Sequence, residues 1–131
     1  MRNPLVPKRK PMVLIVEDDL SSQQYYEVIF EDEYEITMVS TVAEAKQALK
    51  ENVFEVAIVD ISLPGGKSGI DMIEYLCSNY HNKPVAIVVT AHAFQENRDD
   101  VLEAGAAEFF SKPVLSENLL AAVRKYCVLP S

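Results

Sequence analysis

The sequence predicts an α/β domain in which helices cover both faces of a parallel sheet, and three observations carry that prediction. Short apolar runs alternate with amphipathic stretches five times between Met12 and Cys127. The runs Val13-Leu14-Ile15-Val16, Val56-Ala57-Ile58-Val59 and Val85-Ala86-Ile87-Val88-Val89 are apolar without alternation, the pattern of strands buried on two sides. Polar groups stand where strands stop: Glu17-Asp18-Asp19 after the first, Asp60 after the third, Lys112-Pro113 after Phe109-Phe110.

Residues 1–11 hold three prolines and the basic cluster Lys8-Arg9-Lys10, the composition of a flexible tail or linker. A domain is expected over residues 12–128, with 129–131 as its C-terminal end. A first strand at about 12–17 leads into a helix at about 21–31, and a second strand follows at about 35–39. Thr41 and Glu44 form a capping box for a helix at about 42–51 that turns Val42, Ala45, Ala48 and Leu49 inward. The third strand, about 55–60, precedes a helix at about 69–80, and the fourth, about 84–90, a helix at about 95–104 that Gly105 ends. A fifth strand at about 107–111 sends Phe109 and Phe110 to opposite faces. Ser116 is placed to cap the last helix, about 116–127, which buries Leu119, Leu120, Val123 and Cys127. Right-handed crossovers force helices onto both sides, giving a flavodoxin-like three-layer α/β/α sandwich with five strands and five helices.

At 131 residues the chain has room for one domain that buries roughly two thirds of its unfolded surface. Twelve basic against twenty acidic residues give a formal charge of −8, and four of the basic residues lie in the first ten positions. So acidic a body argues against direct nucleic-acid binding. Cys77 and Cys127 stand fifty positions apart with no C-x-x-C, and read as buried helix residues in a reducing compartment, not as a disulfide. No apolar run approaches the ~20 residues of a membrane span and the first residues lack the apolar core of a signal peptide, so a cytoplasmic protein without a membrane partner is expected.

If the strands lie side by side, the carboxylates and the lysine meet in one crevice at the carboxyl edge of the sheet, where open α/β sheets bind ligands. Clustered carboxylates repel one another and call for a divalent cation, while a lysine beside them calls for an anion. The economical reading is a Mg2+ site at which Asp60 takes up a phosphoryl group. Taken singly, each residue has a blander role: Asp60 as a helix cap, Thr90 as a turn residue, Lys112 as a surface cation, and Glu17-Asp18-Asp19 as acids answering a helix dipole. Asp19 fits that last role on its own.

From Met12 to about Tyr126 the chain resembles the receiver domain of two-component response regulators. That family has an acidic pair after the first strand, a phosphoacceptor aspartate ending the third, a threonine or serine ending the fourth, and Lys-Pro ending the fifth. Here they fall on Glu17 and Asp18, Asp60, Thr90, and Lys112-Pro113. The resemblance implies a strand order of 2-1-3-4-5, with Mg2+ held by Glu17, Asp18, Asp60 and the backbone carbonyl of Ser62. It implies that Asp60 is the nucleophile that becomes an acyl phosphate, that Lys112 and the Thr90 hydroxyl meet the phosphate oxygens, and that Thr90 and Phe109 form the switch. Ser62 and His92 would tune dephosphorylation. The implied partners are a histidine kinase or phosphotransfer protein, and an output partner or second copy on the face built by residues 95–104, 107–111 and 116–127. Such a domain catalyses only its own phosphorylation and dephosphorylation. Removing Glu17 or Asp18 should weaken Mg2+ binding yet stabilise the metal-free fold by relieving repulsion.

Two departures limit the carry-over. Four residues, Gly65 to Ser68, separate Pro64 from Gly69, where the family usually has three, so the conformation of this loop is open. Phe109 replaces a tyrosine common in the family, so its ring can move only through packing. Two rival functions and a variant of the receiver reading share parts of this pattern. Gly66-Lys67-Ser68 hints at a nucleotide-binding P-loop, but Ile61 stands where its first glycine is required. A Mg2+-dependent phosphohydrolase of haloacid dehalogenase type would place an acid two residues after the nucleophile, and here that residue is Ser62. A degenerate receiver serving only as an interaction module is the variant, although every phosphotransfer group is present.

Overall fold

The structure, a computed structural model, describes residues 10–61, 69–80, 82–91 and 95–127. Ser62, His92 and the loop from Gly65 to Ser68 lie outside the described residues, as does most of the N-terminal segment. Five strands, β1 (Met12–Val16), β2 (Glu35–Val39), β3 (Val56–Val59), β4 (Val85–Thr90) and β5 (Glu108–Ser111), form one parallel sheet in the order β2-β1-β3-β4-β5. Between and after them come α1 (Leu20–Phe30), α2 (Val42–Glu51), α3 (Gly69–Asn79), α4 (Gln95–Ala104) and α5 (Ser116–Tyr126). Observed and expected elements agree to within one residue at nearly every boundary.

Alternation along the central strands divides the core into two layers. Leu14, Val16, Ala57, Val59 and Val88 face α2, α3 and α4, meeting Ala45, Leu49, Met72, Ile73, Leu76 and Val101. Val13, Ile15, Ile58, Ile87 and Val89 face the other way, against Tyr26 and Phe30 of α1 and Leu119 and Val123 of α5. Each such buried aliphatic side chain contributes about 1.5–3 kcal/mol, which is why these runs show no polar alternation. Phe109 joins the first layer and Phe110 the second, as the period of two requires.

The helix ends explain where the chain turns. The Asp19 carboxylate accepts the Ser22 backbone N–H at 2.9 Å and so caps α1. Thr41 Oγ1 accepts the Glu44 N–H at 3.1 Å, and Glu44 reaches back to accept the Ser40 N–H at 3.0 Å. Gly105, with φ +120°, ends α4 in a conformation L side chains rarely adopt. The cap of α5 departs from expectation: extended Leu115 precedes the helix without a side-chain bond, and Ser116 is the first helical residue. Cys77 departs too. It lies about 100° round α3 from the inward Leu76 and is exposed, its sulfur beside Gly105, while Cys127 at the end of α5 is half-buried. Leu120 is likewise only partly buried. No helix among the described residues is long and apolar enough to cross a membrane.

Candidate functional site

Parallel strands all end at the same edge, and the ladder bonds run on past them. The Glu17 N–H donates to the Val39 carbonyl at 2.9 Å, Asp60 N–H to Val16 at 3.1 Å, and Lys112 N–H to Thr90 at 2.9 Å. The residue after each strand is thereby fixed at the rim, and four side chains from four strand ends converge.

Asp60 lies at the centre, 7% exposed, on the strand flanked by β1 and β4. The fully buried Thr90 hydroxyl donates to its Oδ1 at 2.9 Å, and the Lys112 ammonium donates to its Oδ2 at 3.2 Å. Thr90 and Lys112 thus address different oxygens of one carboxylate. Glu17, 1% exposed, accepts from Lys112 at 2.8 Å through Oε1 and from the Asp19 N–H at 3.1 Å through Oε2. Burial pushes the Glu17 carboxyl above its ordinary range against the opposing hydrogen bond from Lys112. Burial would lower Lys112, but its bond to Glu17 and the charges of Asp60 and Glu17 outweigh this and hold the ammonium above its usual value.

Glu17, Asp18 and Asp60 each offer a carboxylate oxygen, and these oxygens lie within 4.8 Å of one another. Asp18 is exposed and completes the set from the solvent side. Hard, anionic oxygen donors at this separation suit Mg2+ or a cation like it. Gly69 packs against the backbone that carries Asp60: its N–H donates to the Ile61 carbonyl at 2.9 Å, and a Cβ there would collide with the Asp60 carbonyl and the Ile61 Cα.

The structure thus brings Glu17, Asp18, Asp60, Thr90 and Lys112 together in one crevice. Ser22 was not foreseen. Its hydroxyl accepts from Lys112 at 3.0 Å and donates to Asp19 at 3.0 Å. A serine in the first turn of a helix carries no signal of its own, and only the return of Lys112 over the start of α1 singles it out. Phe109 lies apart from the carboxylates, half-buried under the Arg98 guanidinium at 5.9 Å from the ring centroid. Both border an open groove of about 490 Å³ whose walls include Ser111, Val114 and Asn118.

A sequence profile of the response regulator receiver domain matches residues 13–124. Response regulator protein PilR of Pseudomonas aeruginosa is 30% identical over 116 residues, which cover 85% of this chain and 26% of that protein. Among solved structures, a response regulator receiver domain protein (CheY-like) from Methanospirillum hungatei JF-1 has a TM-score of 0.82 at 29% identity, covering 89% of this chain and 93% of that one. The beryllofluoride-activated NtrC4 receiver domain dimer has a TM-score of 0.82 at 29% identity, covering 88% and 95%. This chain spans half or less of the length of the curated relatives it matches. Profile and structural neighbours run over the same residues that build the sheet and its acidic rim, so the chain belongs to the response regulator receiver domain family.

Proposed function

We propose that this chain is a phosphorylation-driven signalling switch that takes a phosphoryl group from a histidine kinase or phosphotransfer protein onto Asp60 in the cytoplasm. The observation that carries the reading is the convergence of Thr90 and Lys112 on the two oxygens of Asp60 beside the Glu17–Asp18 pair. A carboxylate oxygen of Asp60 attacks phosphorus, the phosphorus–nitrogen bond of the donor phosphohistidine breaks, and the leaving imidazole keeps the electron pair and takes up a proton. Mg2+, held by Glu17, Asp18, Asp60 and the Ser62 carbonyl, would screen the charge of the incoming anion. Lys112 supplies the remaining positive charge, and the Thr90 hydroxyl orients the carboxylate and then turns to the phosphoryl oxygens.

The modification adds about −1.5 to −2 charges and three acceptors, so Thr90 and Lys112 are drawn toward the new group. Both lie at the ends of β4 and β5, the strands bordering α4 and α5, which passes the change to Phe109 and to the face of residues 95–104, 107–111 and 116–127. An output partner or a second copy docks there after phosphorylation. Ser62 and His92 set the lifetime of the acyl phosphate.

Incubation with Mg2+ and acetyl phosphate tests the reading. One phosphoryl group, labile to hydroxylamine, should appear by mass spectrometry, and Asp60→Asn should abolish it. Equal labelling of that variant, or full labelling in excess chelator, would overturn the assignment.

A further inference from the structure

We infer that Ser22 is a positioning residue for Lys112: its hydroxyl is the neutral anchor that keeps the ammonium beside Asp60 when the carboxylates are otherwise engaged. This rests on the role given above to Lys112. An ammonium has three donors, and here they go to Glu17 Oε1 at 2.8 Å, Ser22 Oγ at 3.0 Å and Asp60 Oδ2 at 3.2 Å. Two of these acceptors belong to the acidic cluster that could hold a divalent cation, and Ser22 stands outside it.

The hydroxyl is itself oriented. It donates its proton to Asp19 Oδ2 at 3.0 Å, which leaves lone pairs directed at Lys112 and no proton competing there. Asp19 is in turn held by the Ser22 backbone N–H at 2.9 Å, a bond that survives loss of the side chain. The chain Asp19–Ser22–Lys112 is thus built on the first turn of α1 with no carboxylate of Glu17 or Asp60 as a link in it, although Glu17 also holds the Asp19 backbone N–H at 3.1 Å. A cation that draws on Glu17 and Asp60 takes two of the lysine's acceptors and leaves the third. Without Ser22, and with Glu17 and Asp60 drawn to a cation, the long, flexible lysine stem keeps no other side-chain acceptor among the described residues.

Ser22→Ala and Ser22→Thr separate this role from a structural one. The readouts are the 15N-detected Nζ signal of Lys112 and its proton exchange in the metal-free protein, and the midpoint of beryllofluoride binding with Mg2+. Ser22→Ala should shift the Lys112 signal, speed its exchange and weaken beryllofluoride binding about 3- to 10-fold, the size expected for the net loss of one ordinary hydrogen bond. Its melting temperature should hold, because the helix cap is kept, and Ser22→Thr should restore both readouts. An unchanged Lys112 signal, or unchanged beryllofluoride binding, in Ser22→Ala would overturn the inference while leaving Asp60 in place. Failure of the wild-type protein to bind beryllofluoride at all would instead overturn the reading of the site, and the role of Ser22 with it.

Discussion

The Thr90 hydroxyl and the Asp60 carboxylate are joined at 2.9 Å across adjacent strands, in a place where one group is fully buried and the other nearly so. Thr90→Val keeps the shape of the side chain but puts a methyl group against a buried carboxylate oxygen. Urea unfolding should show a loss of about 1–3 kcal/mol, with Thr90→Ser much closer to wild type. A Thr90→Val protein as stable as wild type would mean that the bond does not form in solution.

The two members of the acidic pair should respond in opposite directions to removal. Glu17 is buried and is the closest partner of Lys112, whereas Asp18 is exposed. Repulsion alone suggests that removing either acid stabilises the metal-free fold, but the bound ammonium changes this for Glu17. Glu17→Ala should destabilise by about 1–3 kcal/mol, because it opens buried space and strips a partly buried ammonium of a partner. Asp18→Asn should leave stability equal or slightly raised. Both should weaken Mg2+ binding, measured by calorimetry.

Gly69→Ala should cost about 1–3 kcal/mol, since the added carbon meets backbone and not a side chain that could swing away. The displaced atoms belong to Asp60 and Ile61, so Mg2+ affinity should fall as well. Thermal melts with and without Mg2+ check both effects.

The thiols should differ sharply. Cys77 is exposed, whereas burial pushes the Cys127 thiol up to about 12. Thiolate is the reactive species, so a limiting amount of iodoacetamide at about pH 8 should modify Cys77 and leave Cys127 intact in the folded protein. Peptide mapping decides, and equal modification of both would contradict the packing of α5.

The Glu33–Arg124 pair should show in the acid limb of stability. The hydrogen bond from Arg124 holds the Glu33 carboxyl below its ordinary value of 4.5, so its contribution is present above that value and is lost as pH falls through the depressed one. Arg124→Ala should therefore be slightly less stable at neutral pH, and the gap should narrow in acid, below the ordinary carboxyl range. Because both side chains are about half exposed, the effect should be small and should shrink with salt. Urea midpoints at neutral and acid pH measure it.

Much of this was legible because the fold writes its site at strand ends. A buried parallel strand announces itself by an unbroken apolar run, and the first polar residue after it must lie at the rim. Glu17, Asp60 and Lys112 were found in that way, and Thr90 only once a family resemblance gave it meaning. Ser22 was not legible, since its partner lies 90 positions away and nothing local marks it. Cys77 was misjudged for a related reason: a cysteine in an amphipathic helix looks inward by type, but the angle from Leu76 turns it out. Ser116 looked like a cap from sequence alone, yet the chain after Pro113 arrives already extended through Leu115.

Phe109 and Phe110 leave β5 equally greasy on its two sides, so hydrophobicity alone would tolerate a slip of this edge strand by one residue. Polar end stops hold it in place. At one end the Ala107 N–H reaches the Ala86 carbonyl at 2.8 Å and the Tyr126 phenol grips Glu108 at 2.7 Å; at the other the Lys112 N–H reaches Thr90. A slip would swap the two rings between layers and carry the ammonium about 3.3 Å along the strand, away from Asp60. A phenol near the last turn of α5, on the far side of the strand from the acidic rim, thereby helps decide whether that rim receives its cation.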